Sequence, residues 1–217
     1  MRKQLSLNGL STYDDLGMYV ADAPIIGPAK PRTKYIVVDG ADGSLDFSSA
    51  LTGEILFDRR DVSFSLLYVG DNPDMKRAEI ENLFSGQLIN IVLPDDPEHY
   101  LTGRASAEAS HEKGRSLQID FRAACDPWRY KDGMTAVTVS MTGSAIPIIL
   151  PNEQRRVSPS WTVTGGQVSV IFGGTTYVLG TGTQTRPGIL LAAGGNPVTL
   201  SGAAGSAVTI TYQEASL

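Results

Sequence analysis

Residues 37–68 read VVDGADGSLDFSSALTGEILFDRRDVSFSLLY, and the phase of the apolar residues in this stretch decides the fold class. The cluster Asp39-Gly40-Ala41-Asp42-Gly43 reads as tight turns. Glycine takes positive φ without steric cost, and aspartate bonds its own nearby backbone. A short apolar–polar alternation follows at Ser44-Leu45-Asp46-Phe47, then a break at Thr52-Gly53, then a long β-like run. In that run Ile55 and Phe57 are odd-numbered, whereas Val62, Phe64, Leu66 and Tyr68 are even-numbered. Side chains on a strand alternate faces, so the apolar face changes phase at Arg59-Arg60-Asp61. Either a β-bulge at that point or a division into two strands brings both halves to one core.

Working outward, the N-terminal side predicts a short strand at residues 6–10 and another at 16–20. Residues 21–32 carry Pro24, Pro28 and Pro31 with Gly27 among them. Proline lacks a backbone donor and restricts its predecessor, so this segment is an extended arm or loop and not a helix or a central strand. Its bland role is a surface loop; its functional role is an arm reaching a neighbouring subunit, with Pro24, Pro28 and Pro31 at the contact. On the C-terminal side, Asp71 or Asn72 caps a helix led by Pro73, with Ile80, Leu83 and Phe84 on one stripe and Gly86 just past its end. Residues 88–93 read as a buried strand, and Pro94-Asp95-Asp96-Pro97 as the turn that ends it. Leu117, Ile119, Phe121 and Ala123 alternate with Ser116, Gln118, Asp120 and Arg122, as in a half-solvated antiparallel strand.

The remainder changes character. Only five of the chain's 41 charged residues (18 basic, 23 acidic) lie beyond residue 132, together with 13 of its 23 glycines. This shift predicts two domains, 1–132 and 133–217. In the second, β-like runs at 137–141, 161–163, 168–172, 176–179, 189–191, 198–200 and 208–212 are separated by glycine pairs, including Gly194-Gly195-Asn196-Pro197. That spacing, with no helical pattern, predicts a β-sandwich.

Composition narrows the function. The chain of 217 residues is 41% hydrophobic and 19% charged, with net charge −5 and a pI near 5.0. An acidic chain is a poor surface for nucleic acid. The single cysteine, Cys125, excludes an intrachain disulfide and a multi-thiolate zinc site. The first ten residues lack the apolar core of a signal peptide, and no run approaches the roughly 18 apolar residues of a membrane span. These features predict a protein made in a cytosol and not inserted in a membrane.

Chemistry is sparse. Asp95, Asp96, Glu98 and His99 form the best metal-like group, but their spacing follows no ligand pattern and suits a solvated loop. Asp39 and Asp42 lack the rest of a calcium loop. Neither His99 nor His111 has a nucleophile motif beside it, and Cys125, before Asp126-Pro127, has no electropositive setting to make a thiolate. Catalytic residues, metal ligands and cofactors are therefore expected to be none. Trp128, Tyr130 and Trp161 make a sugar-stacking surface or, more simply, packing.

Four ordered features resemble the distal tail protein (Dit) family of long-tailed bacteriophages. They are the Asp39-Gly40 to Arg60 stretch; the Pro73-led helix followed by a strand, an acidic turn and Tyr100-Leu101-Thr102-Gly103-Arg104; the strand from Phe121 ending in Cys125-Asp126-Pro127-Trp128-Arg129-Tyr130; and the closing Asn196-Pro197-Val198-Thr199-Leu200-Ser201-Gly202 with Val208 to Glu214. The chain has Val37-Val38 before the turn where the family has Pro-Gly-Arg. The resemblance implies a mainly β protein: an N-terminal tail-tube-like β-sandwich or barrel with one helix, which makes a six-subunit ring, and a C-terminal galectin-like or carbohydrate-module-like sandwich. It implies a structural role in the virion at the tail tip, after synthesis in the bacterial cytoplasm. The ring's partners are other copies of the chain, the tail tube protein and the tail-tip hub or baseplate protein, and DNA passes through without specific binding. The alternative is a carbohydrate-binding or host-adsorption module, with Trp161 and Tyr177 stacking on saccharide.

Overall fold

A computed structural model describes residues 4–40 and 42–217, without the side chains of His111 and Glu112. Ala41, in the turn cluster, lies outside the described residues, as do residues 1–3 of the N-terminal segment. The chain divides into two compact units, Met1–Arg129 and Tyr130–Leu217. The fold is mainly β, with one α-helix among the described residues.

The first unit holds β1 (Ser6–Leu7), β2 (Leu10–Ser11), β3 (Tyr19–Val20), β4 (Ile25–Ile26), β5 (Tyr35–Val37), β6 (Ser44–Asp46), β7 (Arg60–Val69), α1 (Pro73–Phe84), β8 (Leu88–Leu93), β9 (Asp96–Lys113) and most of β10 (Ser116–Lys131). Its curled sheet runs β2-β1-β8-β9-β10-β7-β3, with β4 also on β7, while β5 and β6 form a separate pair. Strand β10 lies antiparallel to β7 with Phe121 opposite Phe64. The two rings stack at 5.0 Å, and Phe84 of α1 meets Phe121 edge-on at 5.7 Å. Around them Val62, Leu66, Leu117, Ile119, Ile89, Ile91 and Ile80 complete one core. The alternation read from β7 and β10 therefore points inward as expected, because one face of an antiparallel sheet packs and the other stays wet.

Several expectations are corrected, and of the two alternatives at residues 59–61 the division holds. Residues 6–10 are not one strand: Asn8 and Gly9 take positive φ, 52° and 84°, and make the two-residue turn of a β1–β2 hairpin. The phase change at residues 59–61 is a division, since β7 begins at Arg60 and Phe57 makes only an isolated bridge to Pro31. Ile55 is exposed and joins no core. No side chain caps α1; Asn72 instead sits in the left-handed region ahead of Pro73. Leu83 is exposed, so the buried face of α1 is Ile80 and Phe84, four apart. Strand β8 is half-exposed, with Leu88 and Asn90 outward, and β9 starts at Asp96, inside the expected turn.

The second unit contains β11 (Thr135–Ser140), β12 (Ile146–Asn152), β13 (Ser160–Thr164), β14 (Val168–Phe172), β15 (Thr175–Leu179), β16 (Gly182–Thr185), β17 (Gly194–Gly202), β18 (Ala207–Tyr212) and β19 (Ala215–Ser216). Two four-stranded antiparallel sheets, β11-β18-β13-β16 and β12-β17-β14-β15, share a core built from Trp161, Tyr212, Val170, Leu200, Ile210 and their neighbours. This is the sandwich expected from the spacing. Residues 189–191 are a loop that buries Ile189 and Leu191, with a single bridge from Leu191 to Val157. Asn196 lies within β17 and not in a turn. Its buried amide nitrogen donates to the carbonyls of Leu150, Ala192 and Gly194, and its oxygen accepts from Ala192 N–H.

Candidate functional site

Of the groups singled out for chemistry, Asp96 and His99 are paired and Cys125 is buried. Asp96 bonds His99 Nδ1 through one oxygen at 2.7 Å and Arg129 Nη1 through the other at 3.2 Å. Both its oxygens thus serve an internal network, and no cluster among the described residues could hold a metal ion. Cys125 is fully buried, and burial, with Asp126 nearby, pushes its thiol up to about 12. It packs rather than reacts. The side chain of His111 lies outside the described residues.

The saccharide platform is also corrected. Trp161 is fully buried in the second core, so neither ring face is open to a sugar. It lies on the sheet opposite to that of Tyr177. Tyr177 packs against the core's edge and donates its hydroxyl to Gly188 O at 3.1 Å. Trp128 meets Phe57 edge-on at 5.6 Å, and Tyr130 lies under the Arg155 guanidinium at 5.6 Å.

What stands out is residues 31–56. Apart from Ser48, every described residue in this span is exposed. The span is nevertheless ordered. Strands β5 and β6 pair with Tyr35 opposite Asp46, Ile36 opposite Leu45 and Val37 opposite Ser44. Ser48 Oγ accepts from Lys34 N–H, and Asp46 accepts from the Ser48 hydroxyl and from Ser48 N–H, which together hold the Asp46 carboxyl below the usual range. On this hairpin and the turn after it, Tyr35, Ile36, Val37, Val38, Leu45, Phe47, Leu51, Ile55 and Leu56 all face solvent, Leu51 completely. A lone two-stranded hairpin is marginally stable in water, and this one exposes apolar side chains on both faces, Tyr35 and Val37 on one and Ile36 and Leu45 on the other.

The arm of residues 21–32 runs beside the start of β7 and does not project. Ile25 and Ile26 pair with Ser63 and Val62, Gly27 N–H donates to Asp61 O, and Arg32 meets Asp58 at 2.6 Å. Pro24 is half-buried, while Pro28 and Pro31 are exposed. The extended conformation is as expected, and the contacts displayed are with this chain's own sheet edge.

On the face of the sheet opposite the core lies a groove of about 860 Å³ lined by Arg59, Arg104 and Arg122, with Asp61 as the only acid and Ser63, Ser106 and Ala124 between them; Val62, Ala105 and Ala123 also line it, but their side chains belong to the core. Arg104 donates to Gly86 O, and Ser106 Oγ to Arg122 O at 3.5 Å. Neither Arg59 nor Arg122 forms an ion pair with a described residue. A smaller hollow shares Ser63 and Arg122 with the groove and adds Ile25, which is 71% exposed. The sequence offered little signal for this groove: its arginines come from three separate strands or strand ends, and only pairing of β7, β9 and β10 gathers them.

No family model and no curated protein matches the sequence. Among solved structures, the chain is similar to the Dit (gp 19.1) protein of SPP1, described as a paradigm of the hub adsorption apparatus in phages infecting Gram-positive bacteria. The likeness covers 100% of both chains, with a TM-score of 0.63 and 17% identity. The fold is thus that of a Dit protein over the whole length, including both units.

Proposed function

We propose that this chain is a structural protein of a phage tail, assembling head-to-tail into a ring that joins the tail tube to the tail-tip hub and leaves a passage for DNA. The observation that carries the proposal is the likeness to a Dit protein along the entire chain. The exposed hairpin supports the assembly step. Nine apolar side chains on the β5–β6 pair and the turn after it stay exposed in their own unit, and full burial of the larger ones gains roughly 1.5–3 kcal/mol each. A hairpin on one side of a subunit and a receiving surface on another make a heterologous contact, which closes into a ring when its rotation divides the circle.

Six copies is the stoichiometry the family resemblance implies. Light scattering of the purified chain, followed by particle images, tests it. Closed rings with a central opening are expected. A chain that remains a single protomer at concentrations on the order of 100 μM, well above a typical micromolar subunit affinity, would overturn the assembly proposal. A saccharide-binding role finds no aromatic platform at Trp161 and Tyr177, and a glycan array is expected to show no binding that depends on Tyr177.

A further inference from the structure

The hairpin and the groove are opposite in charge balance. Residues 33–57 contain four carboxylates, Asp39, Asp42, Asp46 and Glu54, against one cation, Lys34. None of these carboxylates forms an ion pair among the described residues, and Asp39 and Asp42 flank the hairpin's tip. The groove has the opposite balance, three guanidinium groups against Asp61. It is the cationic feature of a front segment that is otherwise acidic, with 15 basic and 21 acidic residues before residue 133. Apolar side-chain surface there comes from Ala124 and, in the adjoining hollow, from the exposed Ile25. From the start of β5 to the turn, the hairpin spans about 20 Å at 3.3 Å per residue, enough to cross several strands of a neighbouring sheet spaced about 4.8 Å apart.

We propose that the β5–β6 hairpin of one copy seats on the arginine-lined groove of the next, with the tip carboxylates of Asp39 and Asp42 against Arg59, Arg104 and Arg122 and the hairpin's apolar side chains over the exposed Ala124 and Ile25. This rests on the ring assembly proposed above and names its receiving surface. The arm of residues 21–32 then forms a wall of the socket and is not itself the clasp. Charges brought together at a closing interface are partly desolvated, so they set register and encounter rate more than total affinity. Arginine suits the role, because its planar fork takes a carboxylate on two bonds.

Two full-length double variants test the proposal: D39K/D42K on the hairpin and R104E/R122E on the groove. All four positions are exposed, and each variant is first shown to keep the wild-type thermal midpoint. Each alone places like charges at the contact and is expected to assemble at least tenfold less well than wild type by light scattering. A one-to-one mixture is expected to recover assembly into rings that alternate the two variants, since every contact in that ring is again between opposite charges. Assembly of R104E/R122E at wild-type concentrations, or failure of the mixture to recover, would overturn the proposal while leaving ring formation itself intact. Wild-type chains that never assemble would instead sink the ring. A third outcome also counts against it: if R104E/R122E assembles normally but loses binding to a single-stranded oligonucleotide that wild type retains, the groove serves a polyanion.

Discussion

Gly103 shows what one atom can cost. A Cβ built there would lie 2.6 Å from both Cα and Sγ of Cys125 and 2.7 Å from Ala124 O. Two of those three atoms are backbone, so β9 and β10 would have to part. Gly103→Ala is expected to lower stability by about 1–3 kcal/mol, in line with overpacked cores, and urea unfolding measures it. The same contact explains Cys125. Its thiol is raised from its usual 9.0 to about 12 by burial, and Tyr212 is raised from 10.0 to about 12, also mainly by burial. A raised acid pKa means the folded state holds the proton longer than the unfolded chain does. The stability these groups contribute is full below pH 9 and is lost as pH climbs from 9 toward 12. Unfolding midpoints should therefore fall steadily over that window, and a thiol reagent at pH 8 should label Cys125 only after denaturant is added. The inert character of Cys125 was legible from its Asp-Pro neighbours. The need for glycine at 103 was not, because the clash comes from a strand some twenty residues away. Trp161 was ambiguous for a similar reason: an aromatic on a strand is core or platform according to which face the opposing sheet covers.

Elements were legible where alternation persisted. Strands β7, β10 and β18 each carry several consecutive in–out pairs, and period two has one interpretation at that length. Strand β12 was hidden because Pro147 and Pro151 argue against a strand interior. The structure places it at the outer edge of its sheet, where a missing donor costs nothing. The β1–β2 hairpin turns at Asn8-Gly9, but its strands are only two residues long, too short for an alternation to show. The β5–β6 hairpin is a different case. Its alternation was visible, but periodicity says only that a face will be covered, not that the cover belongs to the same chain. This separates two stabilities that usually move together. Replacing Val37 and Leu51 by serine removes apolar surface that the lone chain leaves mostly exposed. The protomer's unfolding free energy should change by no more than about 0.5 kcal/mol, as for other exposed positions. Ring assembly should weaken by about 2–4 kcal/mol, taking roughly 1–2 kcal/mol for each side chain partly buried at an interface. Denaturation of the protomer and light scattering of the assembly read the two effects separately. A large loss in the first would show that the hairpin belongs to the fold of its own chain.

At the scale of the molecule, the fall in charge after residue 132 predicted a second domain, and the structure divides the chain three residues earlier, between Arg129 and Tyr130. The difference has a physical cause that a charge count misses. Lys131 donates its backbone N–H to Glu214 O and its ammonium to the Glu214 carboxylate at 3.1 Å, while Gln213 bonds the carbonyls of Lys131 and Gly133. Glu214 is buried, its other carboxylate partner being the Thr135 hydroxyl. The first residues of the second unit are thus tied to its last. A fragment of residues 130–217 keeps these bonds and the whole Trp161–Tyr212 core, so we expect it to fold alone with one cooperative transition. Its single tryptophan, Trp161, should report this by blue-shifted emission that moves red on unfolding. A fragment of residues 133–217 has the same core but leaves the Glu214 carboxylate without Lys131. A buried acceptor stripped of a charged partner costs about 1–3 kcal/mol, so the shorter fragment should melt earlier by several degrees for a domain of this size. Equal melting of the two would show that the terminal tie adds nothing. A longer fragment that shows no transition would mean that the sandwich depends on the front segment, and that the two units are not separate folding domains.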